Sequence, residues 1–214
     1  MTAIVFDLDG TLIDSAPDIR AAANDVLEAE GHAPLTLPET RGFIGRGAAV
    51  FVQRMRAARG IGPARQADML AAFEARYLTA VELTRLYPGA RPALEALIAG
   101  GTRIGICTNK PLAATHAILT HLAIDGLFGA VIGGDSLPSR KPDPAPLHAA
   151  FRALDASSGL FVGDSEIDAQ TARAAAIPFA LFTEGYRQGP VADLPHDWQF
   201  SRYDQLAAIA AAAR

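Results

Sequence analysis

An α/β architecture is expected from this sequence: a doubly wound, Rossmann-like parallel sheet with an all-helical subdomain inserted near its start. Three features of the chain carry the expectation. Short apolar runs closed by Gly, Asp or Thr recur, as strands covered on both faces do. Longer Ala-rich amphipathic stretches alternate with them, the order of a wound α/β sheet. One interval, about ninety residues between the first and second apolar runs, far exceeds the dozen or more that a simple crossover needs.

The expected strands are the apolar runs at 3–6, 104–107, 130–132, 160–162 and 179–182. Helical patterns follow at 92–99, 112–122, 145–154, 167–175 and 203–213; in the first, Leu94, Leu97 and Ile98 share a stripe, and in the second Ile118, Leu119 and Leu122 do. The long interval holds three more, at 18–30, 48–58 and 64–84, and no convincing strand. Ser15-Ala16-Pro17 and Tyr87-Pro88-Gly89 have turn or hinge chemistry at its two ends. Residues 16–86 are therefore expected to form the insert, with 1–15 and 87–214 as the core. No internal repeat is present, and the Ala-rich runs read as helix formers rather than linkers.

Composition narrows the function classes. With 214 residues, half of them hydrophobic, the chain can bury a substantial core. Lys+Arg 19 against Asp+Glu 23 gives −4, the wrong sign for a dedicated nucleic-acid binder. A small anionic substrate stays compatible, because a local site can be positive on a negative protein. The single cysteine, Cys107, excludes an intramolecular disulfide framework. It sits in an apolar run without a nearby His and reads as a small core residue. No run is long enough to span a bilayer, and the start lacks a basic signal-peptide region. A soluble, cytoplasmic protein without nucleic-acid or membrane partners is expected.

Ligands of open α/β sheets bind beyond the carboxyl ends of the strands. Asp7-Leu8-Asp9-Gly10-Thr11 follows the first strand and Thr108-Asn109-Lys110 the second. Gly133-Gly134-Asp135 and Lys141-Pro142 follow the third; Gly163-Asp164-Ser165 and Asp168 follow the fourth. Crowded carboxylates repel and drift towards protonation unless a cation joins them. An all-oxygen set suits Mg²⁺, which commonly also takes a substrate phosphate oxygen. Lysine, Thr and Asn donors suit the remaining phosphate oxygens. Metal-assisted phosphoryl chemistry is the best fit to this inventory. By contrast, the five histidines share no ligand spacing and read as surface or structural, and Trp198 reads as packing.

Asp7-Leu8-Asp9-Gly10-Thr11-Leu12-Ile13-Asp14-Ser15 resembles the first motif of the haloacid dehalogenase superfamily. Thr108-Asn109, Lys141-Pro142 and Gly163-Asp164-Ser165-Glu166-Ile167-Asp168 resemble its other three, in order. The resemblance spans nearly the whole chain, with the insert matching the family's helical cap. It implies Asp7 as nucleophile, forming an aspartyl-phosphate, and Asp9 as acid and then base. It implies Thr108 and the amide of Asn109 as phosphoryl ligands, with Lys141 neutralising charge. It implies Mg²⁺ held by an Asp7 oxygen, the Asp9 carbonyl and Asp164, with Asp168 either anchoring the ion's water shell or orienting Lys141. An Asp at position 9 suits an alkoxide leaving group, so phosphate-ester chemistry is favoured over C–halogen or C–P cleavage.

Further segments resemble the phosphoglycolate phosphatase branch: Cys107-Thr108-Asn109-Lys110-Pro111, Gly42-Phe43-Ile44-Gly45-Arg46-Gly47, the run from Gly133 to Leu147, and Gly185-Tyr186. The resemblance thus implies a small phosphorylated metabolite, 2-phosphoglycolate, as substrate. Sugar-phosphate phosphatases, pyrophosphatases, nucleotidases and β-phosphoglucomutase-type mutases share much of the pattern. A phospho-acceptor signalling domain is a different class, and it has no use for a leaving-group acid at Asp9. Arg46 is expected to pair with a substrate carboxylate, because a guanidinium is a strong charge-assisted donor.

Overall fold

The computed structural model describes residues 3–157 and 159–213. Its centre is a six-stranded parallel sheet. The strands, in chain order, are β1 (Ala3–Phe6), β4 (Arg103–Cys107), β5 (Ala130–Ile132), β6 (Leu160–Gly163), β7 (Phe179–Phe182) and β8 (Trp198–Phe200). Their spatial order is β5-β4-β1-β6-β7-β8. The chain winds outward from β1 to one edge, returns, and winds outward to the other. The point where that order reverses lies at β1, and ligand crevices form at such a point.

Alternation along each strand explains why both faces are covered. Ile4, Phe6, Ile104, Ile106, Leu160, Val162, Ala180 and Phe182 turn to one face. Ala3, Val5, Cys107, Phe161, Phe179 and Leu181 turn to the other. Successive residues of a strand point oppositely, so two-sided hydrophobicity requires a helix layer on each side. On the first face lie α5 (Ala90–Ala99), α6 (Leu112–His121) and α9 (Leu206–Ala212); on the second lie α7 (Ala145–Ala153) and α8 (Glu166–Ala175).

The interval between β1 and β4 forms the helical insert. It holds α1 (Ala16–Ala29), α2 (Leu37–Phe43), α3 (Ala48–Ala58) and α4 (Gln66–Tyr77). Ile19, Ala23, Leu27, Phe51, Met55 and Phe73 are among its own buried core. Phe51 stacks on Phe73, and Phe73 on Tyr77, each with ring centroids 5.1 Å apart. The insert enters and leaves on a two-residue ribbon, β2 (Ile13–Asp14) paired antiparallel with β3 (Arg85–Leu86). Asp18 closes its base: the buried carboxylate accepts the backbone N–H of Leu83 and of Thr84 and the Thr84 hydroxyl.

Several details differ from the sequence expectation, β2 among them. β8 adds a strand where Trp198 was read only as packing; Trp198 also packs against the core. β3 lies in a stretch expected to hold no strand. Both elements are too short for a period-two signal to register. The helix expected at 64–84 ends at Tyr77. α2 was not expected at all, although Thr36 and Glu39 form a reciprocal capping box at its start.

Phe151 on α7 is 1% exposed between that helix and the sheet. Phe151→Ala is expected to destabilise the protein by about 3–5 kcal/mol, since a buried aromatic leaves a cavity that packing cannot refill. The urea midpoint, with unchanged slope, measures it.

Candidate active site

The central position of β1 brings the motif residues together. Asp7 follows its last residue, and its N–H donates to the Val162 carbonyl of β6 at 2.8 Å. The chain then turns tightly, with the Leu12 and Ile13 N–H groups both returning to the Leu8 carbonyl. Gly10 takes φ +87° in that turn, where a side chain would be strained and a Cβ would lie 2.5 Å from Asp164 Oδ2. A Cβ on Gly185 would lie 2.3 Å from the same oxygen. These two glycines let backbone close around the Asp164 carboxylate.

Three carboxylates and one ammonium form the buried centre. Lys141 Nζ lies 2.8 Å from Asp7 Oδ1 and 2.7 Å from Asp168 Oδ1. The other Asp168 oxygen accepts the Ser165 hydroxyl at 2.6 Å and the Asp164 and Ser165 N–H groups. Asp168 thus caps α8 and orients Lys141 at once. Asp164 accepts the Thr11 hydroxyl at 2.8 Å and the Tyr186 N–H at 2.6 Å. Ligand oxygens of Asp7, Asp164 and Asp168 all lie within 4.8 Å of one another.

Charge is unbalanced here. Burial, then Asp168, pushes the Asp7 carboxyl up to about 7 against the pull of Lys141. Burial, then Asp168 and Asp7, raises Asp164 well above the usual carboxylate range. Burial works to lower Lys141, but Asp168 and Asp7 outweigh it and hold the ammonium protonated. One ammonium cannot neutralise three carboxylates, and hard oxygen donors this close fit a small divalent cation. Asp7, Asp164 and Asp168 each offer an oxygen within that 4.8 Å span, Asp168 while also holding Lys141.

Asp9 stands just beyond. Its Oδ1 accepts the Ser15 hydroxyl at 2.6 Å and lies 3.2 Å from Lys110 Nζ. Lys110 also donates to the Tyr77 hydroxyl at 2.5 Å, and its ammonium lies 4.2 Å from the centroid of that ring. Lys110 and Tyr77 were not among the expected site residues. The signal for Lys110 was its place in the strand-end loop; Tyr77 was hidden in the Met69, Phe73, Tyr77 stripe of α4, which reads as core.

Thr108 and Asn109 sit at the end of β4 and are both buried. The Thr108 hydroxyl accepts the Lys110 N–H at 3.2 Å, leaving its own proton free to donate. The Asn109 side-chain amide donates to the carbonyls of Gly45 and Lys141, each at 2.9 Å, so it braces the insert loop against the core. Both of its N–H donors are thereby occupied, and only the backbone N–H of Asn109 remains without an acceptor among the described residues. Cys107, buried beneath, has its thiol pushed up to about 12 by burial, as befits an inert core residue.

A cavity of about 40 Å³ opens in front of Asp7 and Asp9. Thr108, Lys110 and Lys141 line its core side; Ile19, Phe51 and Tyr77 line its insert side. Arg46 does not line that cavity. It is exposed, and it borders an adjoining cleft of about 260 Å³ that Asp7, Asp9 and Asp164 also line. Gly45 and Gly47 on either side of it both take positive φ.

Comparison with known proteins gives a consistent relationship. Residues 1–176 match the model of the haloacid dehalogenase-like hydrolases. A phosphoglycolate phosphatase of Cereibacter sphaeroides (strain ATCC 17029 / ATH 2.4.9) is 56% identical over 209 residues, covering 96% of each chain. One from Rhodobacter capsulatus is 46% identical over 213 residues, covering 97% of this chain and 95% of its own. The crystal structure of a predicted phosphoglycolate phosphatase from Haemophilus somnus 129pt superposes with a TM-score of 0.90 at 33% identity, covering 98% of this chain and 97% of that one. With its motifs assembled at the end of β1 and its helical insert over them, this chain belongs to the haloacid dehalogenase-like hydrolase family.

Proposed function

We propose that this chain is a Mg²⁺-dependent phosphatase of the cytoplasm that hydrolyses 2-phosphoglycolate, a small phosphate monoester, to glycolate and phosphate. The observation that carries the reading is the buried Asp7–Lys141 pair with Asp9 immediately beyond it. Two supports bear on the substrate. The curated relatives are named for phosphoglycolate, and the cavity in front of Asp7 and Asp9 carries a second ammonium, Lys110, which suits an anionic leaving group.

The residues divide the work as follows. Asp7 attacks phosphorus, and the ester P–O bond breaks to leave an aspartyl-phosphate. Asp9 hands its proton to the departing alkoxide. In the second step Asp9 takes a proton from a water that attacks the same phosphorus; the acyl-phosphate bond breaks, and Asp7 and phosphate are released. Thr108 donates its hydroxyl, and Asn109 its backbone N–H, to phosphoryl oxygens. Lys141 counters charge on those oxygens and keeps Asp7 aligned. Asp168 fixes Lys141 and so acts at one remove. Asp7, Asp164 and the Asp9 carbonyl would hold Mg²⁺, which supplies positive charge to the phosphoryl group and to the excess carboxylates. The insert acts as a cap that keeps bulk water from the intermediate.

Asp7→Asn is expected to lower kcat on 2-phosphoglycolate by more than about 10³-fold, as loss of a nucleophile does. Asp9→Asn, which lacks both the acid of the first step and the base of the second, is expected to lower kcat on 2-phosphoglycolate by about 10²-fold or more, read by steady-state kinetics. Sugar phosphates, nucleotides and pyrophosphate should be turned over less efficiently than 2-phosphoglycolate. Turnover by Asp7→Asn, or undiminished turnover in EDTA, overturns the mechanism.

The raised carboxyls of Asp7 and Asp164 make a second expectation. A carboxyl raised in the folded state stabilises the fold while both states are protonated, and that contribution disappears as pH climbs to the folded value. In chelator, Tm is therefore expected to fall between about pH 4 and about pH 7, the interval from the ordinary Asp value to that of Asp7. Added Mg²⁺ should restore Tm chiefly at the upper end. Thermal melts across pH, with and without Mg²⁺, check both; a Tm in chelator that rises over this interval contradicts the charge imbalance.

A further inference from the structure

We propose that Lys110 is the specificity-determining residue of the site, receiving a carboxylate carried one carbon beyond the ester oxygen of the substrate. This inference rests on the phosphatase reading and extends it to a substrate class, the short 2-phosphorylated carboxylic acids.

Lys110 and Lys141 are the two ammonium groups that line the cavity, and they differ in what already holds them. Lys141 is clasped between Asp7 and Asp168 at 2.8 and 2.7 Å and faces the phosphoryl end. Lys110 reaches the leaving-group end, where its side chain is 5% exposed. Its ammonium has three protons to donate. Asp9 and Tyr77 accept two; the third has no acceptor among the described residues. Asp9 Oδ1 is itself shared with the Ser15 hydroxyl, so Lys110 holds only part of that charge. The neighbouring walls are Ile19, Phe51 and the Tyr77 ring, which offer a cation no anion. A buried ammonium with an open proton beside an apolar wall is a site for an incoming anion.

The spacing selects which anion. Asp9 is the proton donor to the ester oxygen, so that oxygen lies about 3 Å from the Asp9 carboxyl. Lys110 Nζ lies 3.2 Å from the same carboxyl. Ester oxygen and ammonium therefore lie within about 6 Å of each other, a span that the carboxylate of a short 2-phosphorylated acid bridges. Arg46, the guanidinium expected to take this part, is exposed and lines the adjoining cleft that also reaches Asp7 and Asp9, so it is the competing donor for the same carboxylate. Tyr77, stacked on Phe73, which in turn stacks on Phe51, sets Lys110 from the cap side, so recognition of the anion is tied to the position of the cap.

The test compares two substrates in the Mg²⁺-loaded enzyme: 2-phosphoglycolate and its neutral isostere, 2-phosphoglycolamide. Wild type is expected to prefer the carboxylate by about 30-fold or more in kcat/KM, the scale of one buried charge-assisted contact. Lys110→Met keeps the aliphatic stem and is expected to lose that preference, mainly through KM. Lys110→Arg should recover part of it. Equal loss on both substrates by Lys110→Met assigns the lysine to alignment of Asp9 or of the cap and overturns the proposal. So does a retained preference, or a loss that moves to Arg46→Ala instead. Should Lys110→Met fail to fold, Lys110→Gln is read the same way, and absence of a tenfold wild-type preference overturns the proposal without any variant. An enzyme inert towards 2-phosphoglycolate removes the phosphatase reading as well, whereas an active one lacking discrimination removes this inference alone.

Discussion

One ammonium group organises the core of this protein. Lys141 stands between Asp7 and Asp168 with essentially no solvent around it, and it cannot leave without stranding two carboxylates. Breaking a buried pair by removing one partner costs about 3–5 kcal/mol, a large part of the stability of an ordinary domain. The sheet makes the arrangement feasible. β1 lies at the reversal of strand order, so the loops after β5 and β6 reach Asp7 from either side. The cluster still carries more negative than positive charge, and this excess is what a divalent cation and a phosphoryl group would share.

The cap is fastened to this cluster through polar contacts. The Tyr186 backbone N–H donates to Asp164, while its hydroxyl donates to Asp14 and accepts the N–H groups of Ser15 and Ala16 at the start of α1. One residue therefore joins a carboxylate of the buried cluster to the entry of the cap. Arg41 of α2 pairs with the other oxygen of Asp14 at 2.9 Å. On the opposite side, Asn109 ties the Gly45 carbonyl to the Lys141 carbonyl, and Lys110 ties Asp9 to Tyr77. Cap position and active-site geometry are consequently coupled by these hydrogen bonds, beside apolar contacts of Val81, Leu86 and Ala114.

How much of this could be read from the chain depends on the physics of each element. Asp7 was legible because an acid at the end of a buried strand demands a reason. Lys141, Asp164 and Asp168 were legible from their places at strand ends in a known order of motifs. Strands of two or three residues, β2, β3 and β8, carry no periodic signal, and pairing partners far along the chain define them. α2 announced itself only through Thr36 and Glu39, a local signature that outweighs its weak apolar pattern. Arg46 was favoured on donor strength; the structure leaves it exposed, on a cleft it shares with Asp7, Asp9 and Asp164 rather than in the cavity beside Lys110. Tyr77 reads as core by spacing, and it is core, except that its hydroxyl ends the aromatic stack at Lys110. Sequence periodicity reports which face a residue occupies, not what its polar tip meets.

Charge bookkeeping explains why Lys110 and Asp9 belong together. In the proposed mechanism Asp9 is protonated when the leaving group departs, and a carboxyl in that form no longer balances the ammonium 3.2 Å away. Lys110 would then be a buried cation without a counterion, with Tyr77 supplying only a dipole and the face of a ring. A substrate whose own carboxylate lay against Lys110 would restore the balance at that moment, and a neutral leaving group would not. Selection for an anionic leaving group would thus follow from the same contact that holds Asp9.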